Sequence, residues 1–225
     1  ADTPEPPPEK RFERNMVARF HMHENFDLLR AIERLLIRGK LDDAKRFAMA
    51  ISEAPDEPGL GAWNARATVV RDRAAALARA TTVEDALRRE AKLAAACASC
   101  HIDSGAMPEF RTLPPVPPDR PTIDARMLRH RWAADRLWEG IVGGAEEPWR
   151  AGLDVLAGGP LEWKEMSPAR VPFGRDLQRL ADLARRRKTD TSADRATAYG
   201  EILVVCAGCH TVVLTNAAGP AAADG

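Results

Sequence analysis

Two short strings in this sequence bring together residue types that can bind a metal cofactor covalently. Both have the spacing C-x-x-C-H, through which haem c is attached: the thiols add to the haem vinyl groups and the imidazole binds iron. Their reactive residues are Cys97, Cys100 and His101 in the first string and Cys206, Cys209 and His210 in the second. The two strings contain all four cysteines of the chain. We therefore predict two covalently bound haems, with the two histidines as axial iron ligands.

Paired cysteines also occur in structural zinc sites and in redox-active dithiols. The pairs of a zinc ribbon lie about 15 to 20 residues apart, whereas the second string begins 109 residues after the first. A thioredoxin-like dithiol belongs in a βαβ unit, and no strand pattern surrounds either string. Covalent haem is the interpretation that the spacing favours.

Composition bounds the class of protein and its compartment. The 225 residues are 45% apolar, and 33 Lys and Arg balance 33 Asp and Glu, so no charge excess points to nucleic acid. No apolar run reaches the roughly 18 residues of a transmembrane segment. The N-terminal residues have neither the basic nor the apolar region of a signal peptide. Because haem c is attached after export in bacteria, we expect a periplasmic protein whose signal peptide has been removed.

A proline-rich segment divides the chain into two similar halves. It covers 108–121 and contains six prolines, a density that opposes helix formation. Helical periodicity fills both sides of it. We predict an all-α fold of two tandem domains that each resemble a four-helix bundle, at 11–107 and 122–215, each with one haem c on its C-terminal helix.

The halves can be aligned residue by residue. An offset of 105 matches Met22 with Met127 and Gly39 with Gly144, and an offset of 109 matches the two C-x-x-C-H strings. Each half is predicted to contain four helices. Their predicted ranges are about 12–38 and 41–52, a third helix from Trp63 and a fourth after a capping box at Thr82 and Asp85, then about 123–142, 149–157, 173–188 and, after a capping box at Thr191 and Asp194, 193–214.

In a helix the two cysteines and the histidine of each string fall at i, i+3 and i+4, which places them on one face. With this motif on the last helix of each half, the chain resembles the class II c-type cytochromes, the four-helix bundles related to cytochrome c-prime, here in tandem. The resemblance implies that the first helix covers the distal side of each haem, with either a ligating methionine or an apolar residue there. Met22 and Met127 occupy the matching positions and are the expected sixth iron ligands.

The sequence contains other candidates for the distal ligands. No methionine or histidine follows the second string, so the sixth ligand of the second haem is expected earlier in the chain. His130 lies one helical turn after Met127 and could bind iron itself. Its counterpart in the first half is Asn25, with His21 and His23 nearby. In a further alternative the methionines are core residues and an iron site stays open.

The function expected from two haems capped on both sides is electron transfer. Such a protein passes single electrons between periplasmic redox proteins, or to and from a membrane-bound respiratory complex, and is not itself an enzyme. The alternatives are a dihaem peroxidase-like enzyme and a gas-binding cytochrome with an open haem site. The sequence contains no Ser-His-Asp order, no nucleotide-binding loop and no cysteine outside the two strings.

Overall fold

The computed structural model describes residues 8–56, 64–104, 113–159, 166–187 and 191–217. Within these ranges the chain forms eight α-helices and no strand, in agreement with the predicted all-α class. The helices are α1 (Pro8–Ile37), α2 (Leu41–Ser52), α3 (Asn64–Ala78), α4 (Val83–Ser104), α5 (Ile123–Val142), α6 (Glu146–Gly158), α7 (Val171–Arg186) and α8 (Ser192–Ala217). Trp63, which we expected in the third helix, lies outside the described residues.

Threonine caps start the two helices that carry the C-x-x-C-H strings. The Thr82 hydroxyl accepts a hydrogen bond from the backbone N–H of Asp85 at 3.1 Å, and Thr191 accepts one from Asp194, also at 3.1 Å. Each bond satisfies a backbone donor that the first helical turn leaves without an intrahelical partner. Both predicted caps are thereby confirmed.

The helix α6 starts earlier than its sequence pattern indicates. We expected it from about residue 149, and it begins at Glu146. Glu146 and Glu147 lie in its first turn, where carboxylates are favoured by the helix dipole, and Pro148 has no N–H that would need a partner there. The apolar periodicity begins only at Trp149, so a prediction based on periodicity does not include the polar first turn.

Equivalent glycines end the first helix of each half. Gly39 follows α1 with φ of 72°, and Gly144 follows α5 with φ of 59°. This left-handed conformation is strained for residues with a Cβ atom, so glycine is required at both turns. The 105-residue offset therefore relates positions with the same backbone conformation as well as similar residues.

The described part of the proline-rich segment lies against α5. Residues 113–120 form no helix, and the Trp132 indole N–H donates to the carbonyl of Pro114 at 3.1 Å. The Arg129 guanidinium donates to the carbonyl of Pro117 at 2.5 Å. Side chains of α5 thus hold this segment in place.

The helices form two sets with the same order of contacts. In the first set α1, α2, α3 and α4 each contact the next helix and α4 contacts α1, and α5 to α8 repeat this order. The most extensive contact in the structure, however, joins the two sets and lies between α4 and α8. A single connected apolar core consequently runs through both sets, with Ile32 and Leu137, 105 residues apart, both fully buried.

The helices α4 and α8 cross closely at Ala91 and Gly200, which the 109-residue offset makes equivalent. A Cβ atom on Gly200 would lie 3.5 Å from the Cβ of Ala91 and 3.2 Å from the Cα of Arg88. The end of α4 lies beside the start of α8, since Ile102 and Thr191 line the same surface cavity. The two helices therefore run antiparallel, and small residues permit their close approach.

Candidate haem sites

The two C-x-x-C-H strings lie on opposite sides of the crossing between α4 and α8. Cys97 follows Ala91 by six residues, and Cys206 follows Gly200 by six. At the helical rise of about 1.5 Å per residue, each string begins about 9 Å from the crossing. Because the helices are antiparallel, the first cysteines are about 18 Å apart along the helix direction. The strings thus form two separate sites.

The four thiols lie in partly buried positions. All four cysteines are half-buried and none forms a disulfide. Burial, followed by Cys100 and Glu90, raises the pKa of Cys97 to about 12. Burial also raises the pKa of Cys206 to about 12, with further contributions from Glu33 and Cys209. Cys97 and Cys206 are therefore protonated thiols at neutral pH.

This arrangement does not match the requirements of a structural zinc site. Zinc in a structural site is held by four converging ligands. Within the described ranges, no group of three or more His, Cys, Asp and Glu side chains is arranged to hold a metal ion. The separation of the strings also prevents the two cysteine pairs from meeting.

The geometry at His101 fits an axial ligand of haem iron. Its Nδ1 lies 3.1 Å from the carbonyl oxygen of Val142, the last residue of α5. A carbonyl can only accept, so Nδ1 carries the proton and the lone pair is on Nε2. Metal-binding histidines commonly donate their second ring N–H in this way, which fixes the ring and its tautomer. The partner is contributed by the other helix set.

His210 lies at the corresponding backbone position at the other end of the crossing. Its side chain is exposed, but neighbouring protein atoms displace part of its hydration, which lowers its pKa, and the positive charges of Arg170 and Arg38 lower it further. Arg38 is the first residue after α1. Its equivalent in the second half, Gly143, is the first residue after α5. Beside it, the hydroxyl of Thr211 lies 3.9 Å from the place of a Cβ on Gly39. Each motif histidine therefore lies beside the first interhelical turn of the opposite set.

A ring from α7 covers one side of the second string. The place of a Cβ on Gly208 is occupied by the ring of Phe173. The equivalent residue of the first string, Ser99, is exposed. The two sites are thus alike in backbone position and differ in their surroundings.

The predicted distal residues have unlike environments. Met22 is 36% exposed on α1, while Met127 is half-buried on α5. His21 and Asn25 are half-buried and His23 is exposed.

His130 lies close to the second string. Burial, followed by the nearby Arg126, His210 and Arg129, lowers its pKa to about 4. Its imidazole is consequently neutral at physiological pH and has a lone pair available for a metal. Because the charge of His210 on α8 lowers the pKa of His130 on α5, the two side chains lie near each other.

The structure adds a buried group that the sequence pattern did not indicate. We call Arg30, Glu33, Glu90, Asp135, Trp138 and Tyr199 the central polar cluster. Glu33 and Glu90 are 2% and 0% exposed, at positions that interrupt apolar helix faces. A glutamate on an apolar helix face could have predicted a buried polar group, since glutamate is rarely buried without a partner.

Comparison of the chain with protein families, with curated proteins and with solved structures gives no match. The described helices include none with the length and apolar character needed to cross a membrane.

Proposed function

We propose that the protein is a tandem dihaem c-type cytochrome of the class II kind that passes single electrons between periplasmic redox partners. The observation that carries this proposal is the repeated C-x-x-C-H string at equivalent positions of α4 and α8, with half-buried protonated thiols. When bound, haem supplies an iron that changes between the ferric and ferrous states by one electron.

The residues of each string have distinct roles in this proposal. The two cysteines would hold one haem through thioether bonds, and the histidine would bind its iron. At the first site the Val142 carbonyl, by accepting from Nδ1 of His101, keeps Nε2 directed away for iron. Axial ligands and burial then set the reduction potential.

The proposed domains are 11–107 and 122–215, joined by 108–121. Support comes from the pattern of helix–helix contacts, which is the same in both helix sets, and from the equivalent turns at Gly39 and Gly144. Each unit would contribute one haem, and the α4–α8 crossing would fix the two haems relative to each other.

For the sixth iron ligands we propose Met22 and Met127, which occupy equivalent positions on the first helix of each unit. His130 is the second candidate at the second haem, because its neutral imidazole lies close to His210. The two candidates give different optical and EPR spectra, since His/Met and bis-His coordination have distinct signatures.

Haem attachment is tested by intact mass and by extraction with acidified organic solvent after expression with export and haem-maturation machinery. We expect two haems per chain that stay with the protein on extraction. Replacing both Cys97 and Cys100 with Ala should remove one haem, whereas Ser99→Ala, an exposed change between them, should keep both. A colourless protein that contains zinc would contradict the proposal.

Ligand assignment is tested by carbon monoxide binding to the reduced protein. Met127→Ala should open the second haem to carbon monoxide and leave the first unchanged, while His130→Ala should have the smaller effect. The opposite ranking would assign the ligand to His130. Rapid binding by the unmodified protein would instead favour a peroxidase-like or gas-binding function.

A further inference from the structure

The central polar cluster lies at the centre of the contact between the two helix sets. Its members come from α1, α4, α5 and α8, the four helices that meet there. Tyr199, which is fully buried, donates its hydroxyl to Oε2 of Glu33 at 2.7 Å. Arg30 donates to both oxygens of Glu33 at 3.0 and 2.9 Å and also pairs with Asp135.

Within this cluster no positively charged side chain forms an ion pair with Glu90. It is 0% exposed, and neither carboxylate oxygen is within hydrogen-bonding geometry of a donor in the described residues. The indole N–H of Trp138 lowers the pKa of Glu90, but it lies outside hydrogen-bonding geometry. Arg30 already forms ion pairs with two other carboxylates, Glu33 and Asp135. An ionised Glu90 would therefore be a buried charge beside the like charge of Glu33.

Two buried carboxylates whose charges repel each other do not ionise together at neutral pH. Burial and the charge of Glu33 raise the pKa of Glu90 well above its ordinary value, and Arg30 opposes the shift only in part. Glu33 has Arg30 and Tyr199 to stabilise its charge, although burial still raises its pKa. The pair therefore holds one proton, with Glu90 as its main site.

The pair lies between the two candidate haem sites. Cys97 follows Glu90 by seven residues on α4, about 10 Å along the helix, and the charge of Glu90 acts on that thiol. The charge of Glu33 acts on Cys206 on α8. A change of charge at either site is thus transmitted to the pair through a low-dielectric interior.

We propose that Glu33 and Glu90 form a proton-binding site whose occupancy follows the oxidation state of the haem iron. The coupling to iron rests on the proposed function. With haem bound, ferric iron would favour the ionised form of Glu90, and when a donor protein supplies one electron to the iron, Glu90 would take one proton from solvent and become a carboxylic acid. Oxidation releases the electron to the acceptor protein and the proton to solvent. Removal of one positive charge from the iron is the reason, since it weakens the stabilisation of the carboxylate.

Titratable and polar groups face the pair from every neighbouring helix. They are Arg30 and Arg34 from α1, Cys97 from α4, Asp135 and Trp138 from α5, and Tyr199 and Cys206 from α8. Burial raises the pKa of Tyr199 well above its ordinary value, so it stays protonated. The side chain of Asp135 is 35% exposed and pairs with Arg30, which connects the cluster to solvent.

The first test measures the midpoint potentials of the haem-loaded protein between about pH 5 and pH 9, by spectroelectrochemical titration. We expect the potentials to fall as pH rises, because an ionised pair stabilises ferric iron. A tenfold difference in proton affinity between the oxidised and reduced states corresponds to a shift of about 59 mV. Glu90→Gln should abolish most of the pH dependence. Equal pH dependence in Glu90→Gln and the unmodified protein, or none in the latter, would overturn the coupling.

Glu201→Gln is the matched control. Glu201 lies at the same α4–α8 interface but is partly exposed and paired with Arg88 at 2.7 Å, which lowers its pKa. It loses the same charge without touching the buried pair, so the pH dependence should persist. Loss of the pH dependence in this control as well would count against Glu33 and Glu90 as its source.

A second measurement separates the proton site from the proposed function. Infrared spectroscopy of the unmodified protein should show the carbonyl stretch of a buried protonated carboxyl group, which Glu90→Gln removes. In the haem-loaded protein this band should change on reduction. If the purified chain carries no haem, the proposed function fails, and the carbonyl band alone then decides the proton site: its absence at neutral pH would refute it.

Discussion

Tyr199→Phe removes one hydroxyl from the centre of the molecule and leaves the ring in place. Tyr199 is the only tyrosine of the chain, and its hydroxyl donates to Glu33 at 2.7 Å in a fully buried position. The bond also lowers the pKa of Glu33 and so favours its charged form. Without it, Oε2 of that carboxylate depends on Arg30 alone.

The magnitude follows from the kind of bond. A hydrogen bond to a charged group contributes roughly 1.5 to 3 kcal/mol, so we expect a loss of about 2 kcal/mol in the free energy of unfolding at neutral pH. For a chain of this size that is a fall of about 4 to 8 °C in melting temperature. This loss of unfolding free energy should shrink as pH falls through the pKa of Glu33, because the hydroxyl then bonds to a neutral carboxyl group.

Urea unfolding followed by far-ultraviolet circular dichroism measures this loss. Thr197→Ala is the matched control on α8: its exposed hydroxyl donates to the carbonyl of Ala193 at 2.9 Å, and its removal should change stability by less than about 0.5 kcal/mol. If Tyr199→Phe proves as stable as Thr197→Ala at neutral pH, the hydroxyl does not stabilise Glu33 and our account of the cluster is refuted.

Three further changes test the packing and electrostatics of the core. The raised pKa of Glu90 means that the unmodified protein loses stability as pH rises from about 4.5, where the unfolded chain ionises first, so Glu90→Gln should gain relative stability toward neutral pH in urea titrations; a parallel pH profile would contradict this. Gly200→Val should cost roughly 1 to 3 kcal/mol by separating α4 and α8, whereas Gly158→Ala, with open space around it, should cost nothing; equal thermal stability of the two variants would count against the close crossing. Arg195→Met should cost about 2 kcal/mol or more by freeing the buried carbonyls it binds at 2.7 and 3.0 Å, against less than about 1 kcal/mol for Arg88→Met in an exposed ion pair; similar losses in chemical denaturation would refute the distinction.

Local chemistry made the fold class and most helix boundaries predictable. The threonine caps at Thr82 and Thr191 fix two helix starts by hydrogen bonds within one turn, and the glycines at 39 and 144 end two helices through their backbone freedom. These signals act over three or four residues, so the sequence order contains them. The start of α6 was missed because its first turn is polar and carries no apolar periodicity.

Contacts between distant segments could not be predicted in the same way. The alanine-rich face of α4 is equally suited to the interior of its own helix set and to a contact with α8, so periodicity does not distinguish them. The bond from His101 to Val142 depends on that contact. Glu33 and Glu90 would ordinarily be assigned to a solvated helix face, and only the assembled interior shows that they are buried together.

The crossing at Ala91 and Gly200 also explains why the two halves need to differ. Residues related by the 109-residue and 105-residue offsets meet across it, as they would in a symmetric homodimer. Two identical first halves would place four carboxylates, two from each of Glu33 and Glu90, around a dry symmetry axis. In the fused chain the equivalents of Glu33 and Glu90 are Trp138 and Tyr199, which carry no charge, and the Tyr199 hydroxyl donates to Glu33. Fusion has thus allowed the centre to lose its symmetry and keep an acid facing a donor.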